Sequence, residues 1–106
     1  MISSMFLSTA MADEGWLVDF NKAKNRAAKE GKAILMEFTG SDWCPPCKAL
    51  HKNVLVKDVF KQEMPKHFIL LKLDNPRDKS KQTPEEIAQY KKLSKEYKVS
   101  GVPTVF

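Results

Sequence analysis

Hydrophobic positions along the chain change period several times, and each change marks an element. Trp16-Leu17-Val18-Asp19-Phe20 leads into Asn21–Glu30, where Phe20, Ala23, Ala27 and Ala28 recur near helical spacing and Gly31 stops the pattern. Ala33–Thr39 is a continuous run of strand length, apolar except for Glu37, of the kind buried on both faces of a parallel sheet. From Cys44 a helical pattern runs to about Asn53 and on, with a bend, through Val59 and Phe60 to Glu63. Met64-Pro65 is expected to break it. Phe68–Asp74 reads as a second strand and Asn75–Lys81 as a polar loop.

Thr83-Pro84-Glu85-Glu86 has the form of a capping box, with Thr83 as N-cap, Pro84 at the first helical position and Glu86 reaching back. Ile87, Tyr90, Leu93, Ser94 and Tyr97 mark one face of the helix that follows, and Val99–Phe106 turns into a third apolar strand. The order α-β-α-β-α-β predicts an α/β fold with helices packed on a sheet. There are no internal repeats.

Composition narrows the class. A chain of 106 residues holds one core, and 42% hydrophobic with 29% charged residues fits a soluble globular protein. No apolar run approaches the ~18 residues of a membrane span. The net charge of +5 comes from scattered lysines, with arginine only at Arg26 and Arg77. A nucleic-acid partner would want a concentrated basic stripe, so none is expected.

Residues 1–12 are small and apolar and end Ala10-Met11-Ala12 before acidic Asp13-Glu14. They resemble the back half of a secretory signal with its cleavage site, lacking the basic region and most of the apolar core. This divides the chain into a signal-peptide remnant, 1–12, and a domain, 13–106, and places the protein in a periplasmic or secreted, oxidising setting. The alternative is an ordinary frayed terminus, and with it a cytoplasmic location.

Both cysteines lie in Trp43-Cys44-Pro45-Pro46-Cys47, between the first strand and the helix after it. A Cys-x-x-Cys at a helix N-terminus puts the first thiol where the dipole and unpaired N–H groups favour a thiolate. The second thiol lies about one turn on, close enough for a Cys44–Cys47 disulfide. Cys44 is then the candidate nucleophile, and Cys47 resolves the mixed disulfide. The two prolines remove N–H donors, leaving that of Cys47. The Cys44 pKa is therefore expected to fall only moderately, favouring reductase or isomerase behaviour over strong oxidation.

Glu37 is a carboxylate within an apolar strand. Burial there should raise its pKa and make it a proton acceptor for Cys47, with Lys72 of the second strand a candidate partner. The plain alternative is that both face solvent at a strand end. A rival chemistry is zinc or copper binding through Cys44, Cys47, His51 and His67. Their spacing is irregular and His51 points away from the first thiol, so both histidines read as surface residues. No metal and no cofactor beyond the redox-active disulfide is expected.

Three features in order resemble the thioredoxin superfamily: the strand ending Glu37-Phe38, the Trp-Cys-Pro-Pro-Cys-Lys of 43–48, and Gly101-Val102-Pro103-Thr104. The wording Phe38–Cys44 together with Leu73-Asp74-Asn75-Pro76-Arg77 is similar to secreted bacterial thioredoxin-like proteins often described as disulfide isomerase-like. The match covers about residues 16–106. It implies a three-layer α/β/α thioredoxin-like fold and a thiol–disulfide oxidoreductase acting on protein disulfides, recharged by an upstream redox partner. Reductase, isomerase and oxidase directions share these residues.

The resemblance also implies that Pro103 is cis and packed against the disulfide, and that the Val102 backbone pairs with an extended substrate. Without it, a trans bond at a strand entrance is the expectation. An acidic residue at the position of Glu37 fits the family. Trp43 is either a substrate rim or packing at the helix start. Asn75–Gln82 reads as an added loop or helix extension. The family fold continues past Phe106 with the rest of the strand, an edge strand and a helix, so the chain reads as a fragment of a longer protein, monomeric when full length. A redox-inert interaction module is a further alternative, which the retention of both cysteines argues against.

Overall fold

The two apolar runs are the centre of the sheet. In the computed structural model, which describes residues 15–106, β1 (Ala33–Thr39) and β2 (Phe68–Asp74) pair in parallel, Ala33 opposite Phe68 through Thr39 opposite Asp74. The segment 1–12 read as a signal remnant lies outside the described residues. A short β3 (Thr104–Val105) runs antiparallel along the other side of β1, giving the order β2-β1-β3. Leu17 adds a single parallel bridge to the outer edge of β2. Its N–H donates to Leu70 O, and its carbonyl accepts from the Lys72 N–H, both at 2.8 Å.

Strand side chains alternate between faces, and the two faces meet different helices. Met36, Phe38, Ile69, Leu71 and Leu73 form a cluster with Ala23 of α1 (Phe20–Glu30) and Leu93 of α4 (Pro84–Glu96). On the opposite face Leu70 and Trp16 cluster with Leu55, and Leu35, Leu50, Phe60, Met64 and Phe68 pack against them. Leu50, Leu55, Phe60 and Met64 belong to the connection between β1 and β2: α2 (Pro45–Leu50), a π-helical stretch His51–Leu55, and α3 (Asp58–His67). The result is a three-layer α/β/α arrangement. Parallel strands require such a crossover, and here the crossover also carries the cysteines.

Local signals set the helix ends. Asp19 accepts the Lys22 N–H at 3.0 Å to begin α1, and Gly31 ends it at φ +67°, where a side chain would be strained. Thr83 and Glu86 form the reciprocal capping box, with bonds of 2.9 and 3.0 Å. Gln89 then fastens α4 to the entry of α1 by accepting the Phe20 N–H and donating to Val18 O, both at 2.8 Å.

Two expectations are corrected. Pro65 does not break the helix: it removes one N–H near the end of α3, but the helix runs on to His67 and the Phe68 N–H closes on Met64 O. Pro65 O, a last-turn carbonyl, accepts from Lys32 Nζ at 2.7 Å. The helix after Cys44 is also not continuous to Glu63. It widens to π-geometry at His51–Leu55, stops near Val56, and restarts at Asp58. The loop Asn75–Gln82 contains only one turn of 3₁₀-helix, Lys79–Lys81.

Candidate active site

β1 delivers the chain to a tight turn at Gly40. A Cβ at that position would collide with the Trp43 indole, so glycine is required for the ring to fold back. The Cys44 N–H donates to Gly40 O at 3.0 Å, which aims the chain into α2 with Cys44 as N-cap. Pro45 and Pro46 occupy the first helical positions, where no intrahelical donor is needed. Cys44 Sγ accepts the Cys47 N–H at 3.2 Å. That is the donor the two prolines leave available.

Cys44 and Cys47 form a disulfide, with Cα atoms 5.2 Å apart. Exposure does not distinguish the two: Cys44 is 3% and Cys47 2% exposed. The segment before β3 contributes to this burial. The Val102–Pro103 bond is cis, and Val102 O lies 3.7 Å from Cys44 Sγ. β3 is positioned by pairing Thr104 with Phe38 and Val105 with Glu37, and by the Met36–Phe106 exchange, with bonds of 3.2 and 2.9 Å. Thr104 Oγ1 donates to Gly101 O at 2.6 Å and tightens the turn itself. Residues far apart in the chain thus meet at one sulfur.

Glu37 is 3% exposed, on the sheet face covered by α2. Strand register sets it opposite Lys72. A cavity of 210 Å³ is lined by both, together with Thr39, Ser41, Cys47, Lys48 and His51. Glu37, Lys72 and Cys47 therefore line one small space, with Glu37 and Cys47 buried and Lys72 half-buried. His51 reaches the same cavity, although its residue is exposed. His67 ends α3, and among the described residues no three His, Cys, Asp or Glu side chains converge to hold a metal ion.

Trp43 sits on the other side of the cysteines, tied to the loop after β2. Its Nε1 donates to Asn75 O at 2.8 Å, and the Arg77 guanidinium carbon lies 5.4 Å from its ring centre. Asp42 accepts the N–H groups of Arg77 and Asp78 at 2.9 and 3.1 Å, and these bonds hold its carboxyl below the usual carboxylate range. Asp74 accepts the N–H and Oγ–H of Ser41 at 2.9 and 2.5 Å. Asp42, Asp74, Asn75 and Arg77 escape a reading of the sequence by side-chain type. Their signal is their place in the wording Phe38–Cys44 and Leu73–Arg77 that carries the family resemblance, which names no role for them.

A family description of thioredoxin-like proteins matches residues 15–106. The chain belongs to the thioredoxin-like family. It is 31% identical over 84 residues to the disulfide bond reductase DsbH of Chlamydia pneumoniae, covering 79% of this chain and 50% of that protein. The chain thus spans about half the length of that curated relative. A solved structure of a DsbH oxidoreductase superposes with a TM-score of 0.80 at 27% identity, over 99% of this chain and 69% of the other. A thioredoxin from Thermus thermophilus shares the fold, with a TM-score of 0.60 at 23% identity over 83% of this chain and 59% of its own.

Proposed function

We propose that the protein is a thiol–disulfide oxidoreductase that reduces or reshuffles disulfides of protein substrates, with Cys44 as nucleophile and Cys47 as resolving thiol. The observation that carries this reading is the convergence at Cys44. Its sulfur caps a helix, accepts the Cys47 N–H, bonds to Cys47 and faces the Val102 carbonyl beside a cis proline. In the reduced protein the Cys44 thiolate attacks one sulfur of a substrate disulfide and expels the other as a thiolate. Cys47 gives up its proton and attacks Cys44 Sγ, which releases the second substrate thiol and forms the Cys44–Cys47 disulfide. Two electrons pass to the substrate, and a dithiol donor must return them before the next cycle.

Glu37 takes the proton of Cys47 through the shared cavity, and Trp43, Val102 and Pro103 form the surface on which an extended substrate lies. The name of the curated relative, a disulfide bond reductase, supports the reductive direction. A periplasmic or secreted location fits both that direction, with disulfides to act on, and the reading of residues 1–12. Among the described residues no helix is long and apolar enough to cross a membrane.

Cys47→Ala tests the assignment. Without a resolving thiol, Cys44 should remain bonded to its substrates, giving mixed disulfides that a reductant dissolves. A variant whose Cys44 reacts with an alkylating reagent yet captures no disulfide-bonded protein would overturn it.

A further inference from the structure

A second cavity, 230 Å³ in volume, is lined by Trp43, Asn75, Pro76, Arg77 and Lys79. Trp43 directly precedes Cys44, so a group held against the indole lies within reach of the residues flanking a substrate cysteine. The Arg77 guanidinium carbon lies 5.4 Å from the centre of that ring, inside the range of a cation–π contact. Among the described residues its side-chain N–H groups make no hydrogen bond, and their forked edge suits a planar, two-oxygen acceptor.

The surrounding carboxylates do not take that edge. Asp42 spends its oxygens on the N–H groups of Arg77 and Asp78, and Asp78 accepts the Ser80 N–H at 3.0 Å. Among the described residues no ion pair involves Arg77. Lys79 adds a second positive charge whose partners, Asn75 Oδ1 and Pro76 O, are uncharged. The loop is also fixed before any ligand arrives, by Asp42 on its N–H groups and by the Trp43–Asn75 bond of 2.8 Å. A pre-ordered cation beside an aromatic wall loses little freedom on binding.

We propose that this cavity is a subsite for a carboxylate on the substrate, so that the protein prefers disulfides with Asp or Glu beside the half-cystine. The inference rests on the exchange activity proposed above and adds the substrate's chemistry to it. The net charge of +5 acts in the same direction at longer range, drawing acidic substrates toward the molecule.

The test uses two disulfide-linked peptides that differ only in Glu or Gln beside the cystine, each reduced by the reduced protein at low ionic strength. The Glu peptide should react about fivefold faster, as a solvent-accessible pair of good geometry allows, and the advantage should shrink as salt is added. Arg77→Gln keeps the backbone N–H that Asp42 accepts and should bring the ratio to about one. Arg77→Lys keeps the charge without the fork and should retain part of it. The ratio is the readout, so a variant that folds less well still decides the matter. Equal rates for the two peptides with the unaltered protein, or a ratio preserved in Arg77→Gln, overturns the subsite alone. Reduction of neither peptide overturns the exchange reading and this inference with it.

Discussion

A carboxylate on a covered sheet face is costly to desolvate, and a leucine at the same position would not be. Glu37 occupies such a place at 3% exposure, sharing a cavity with Cys47. The proton transfer proposed at Cys47 would give that placement a use. Glu37→Gln should slow release of the mixed disulfide about a hundredfold near neutral pH, at the lower edge of what a positioned acid–base group contributes. Attack by Cys44 should be little changed. The defect should narrow as pH rises toward the ordinary thiol pKa of about 8.5, because Cys47 then ionises without help. Single-turnover measurements of the two steps at neutral and alkaline pH separate them, and an equal slowing at both pH values would count against the role. Glu37 is conspicuous in the sequence because it interrupts an apolar run. Arg77 and Asp42 are not, since an exposed charge in a polar loop breaks no pattern, and their partners lie more than thirty positions away.

At the scale of elements, sequence signals succeed where one local force acts and fail where two compete. The bounds of β1 and β2 follow from predominantly apolar runs of strand length, and the capping box at Thr83 from hydrogen bonds made within four residues. Thr83→Ala should therefore lower the unfolding free energy by about 1 kcal/mol, measured by denaturant titration. The π-helical stretch and the persistence of α3 through Pro65 depend on packing against β2, which no short window contains. The turn before Cys44 is held by Asp42, and its sign with pH is definite. Its folded pKa lies below that of the unfolded chain, so the unfolded state binds more protons between the two values. The stabilisation is complete above the unfolded value, about 3.9, and is lost as pH falls through the folded one. Asp42→Ala should flatten that limb of the stability curve, and an unaltered slope in the variant would show that the carboxylate does not hold the loop.

At the scale of the whole molecule, the site exists because β1 has neighbours on both sides. Strands apolar on both faces, set between helical segments, announce helices packed on a sheet, but the order β2-β1-β3 and the antiparallel sense of β3 cannot be read from periodicity, because β3 is only two residues long. What holds so short a strand is partly side-chain packing. Phe38 is fully buried beside Glu37, opposite Thr104, with the Tyr90 and Phe106 rings each 5.9 Å away edge-on. Phe38→Ala should cost about 3–5 kcal/mol, a large share of the ~5–15 kcal/mol that keeps such a domain folded. It should also loosen Phe106, and with it the β3 pairing that presents Val102 to Cys44, so disulfide exchange should fall even among molecules that remain folded. Phe38→Leu keeps most of the volume and should lose much less stability, yet it removes both edge-on ring contacts. Comparing exchange rates per folded molecule across the two variants separates packing of the core from placement of the cis-proline turn. Exchange that tracks only the folded fraction in both would mean that β3 is held by its backbone bonds to Met36, without need of the ring.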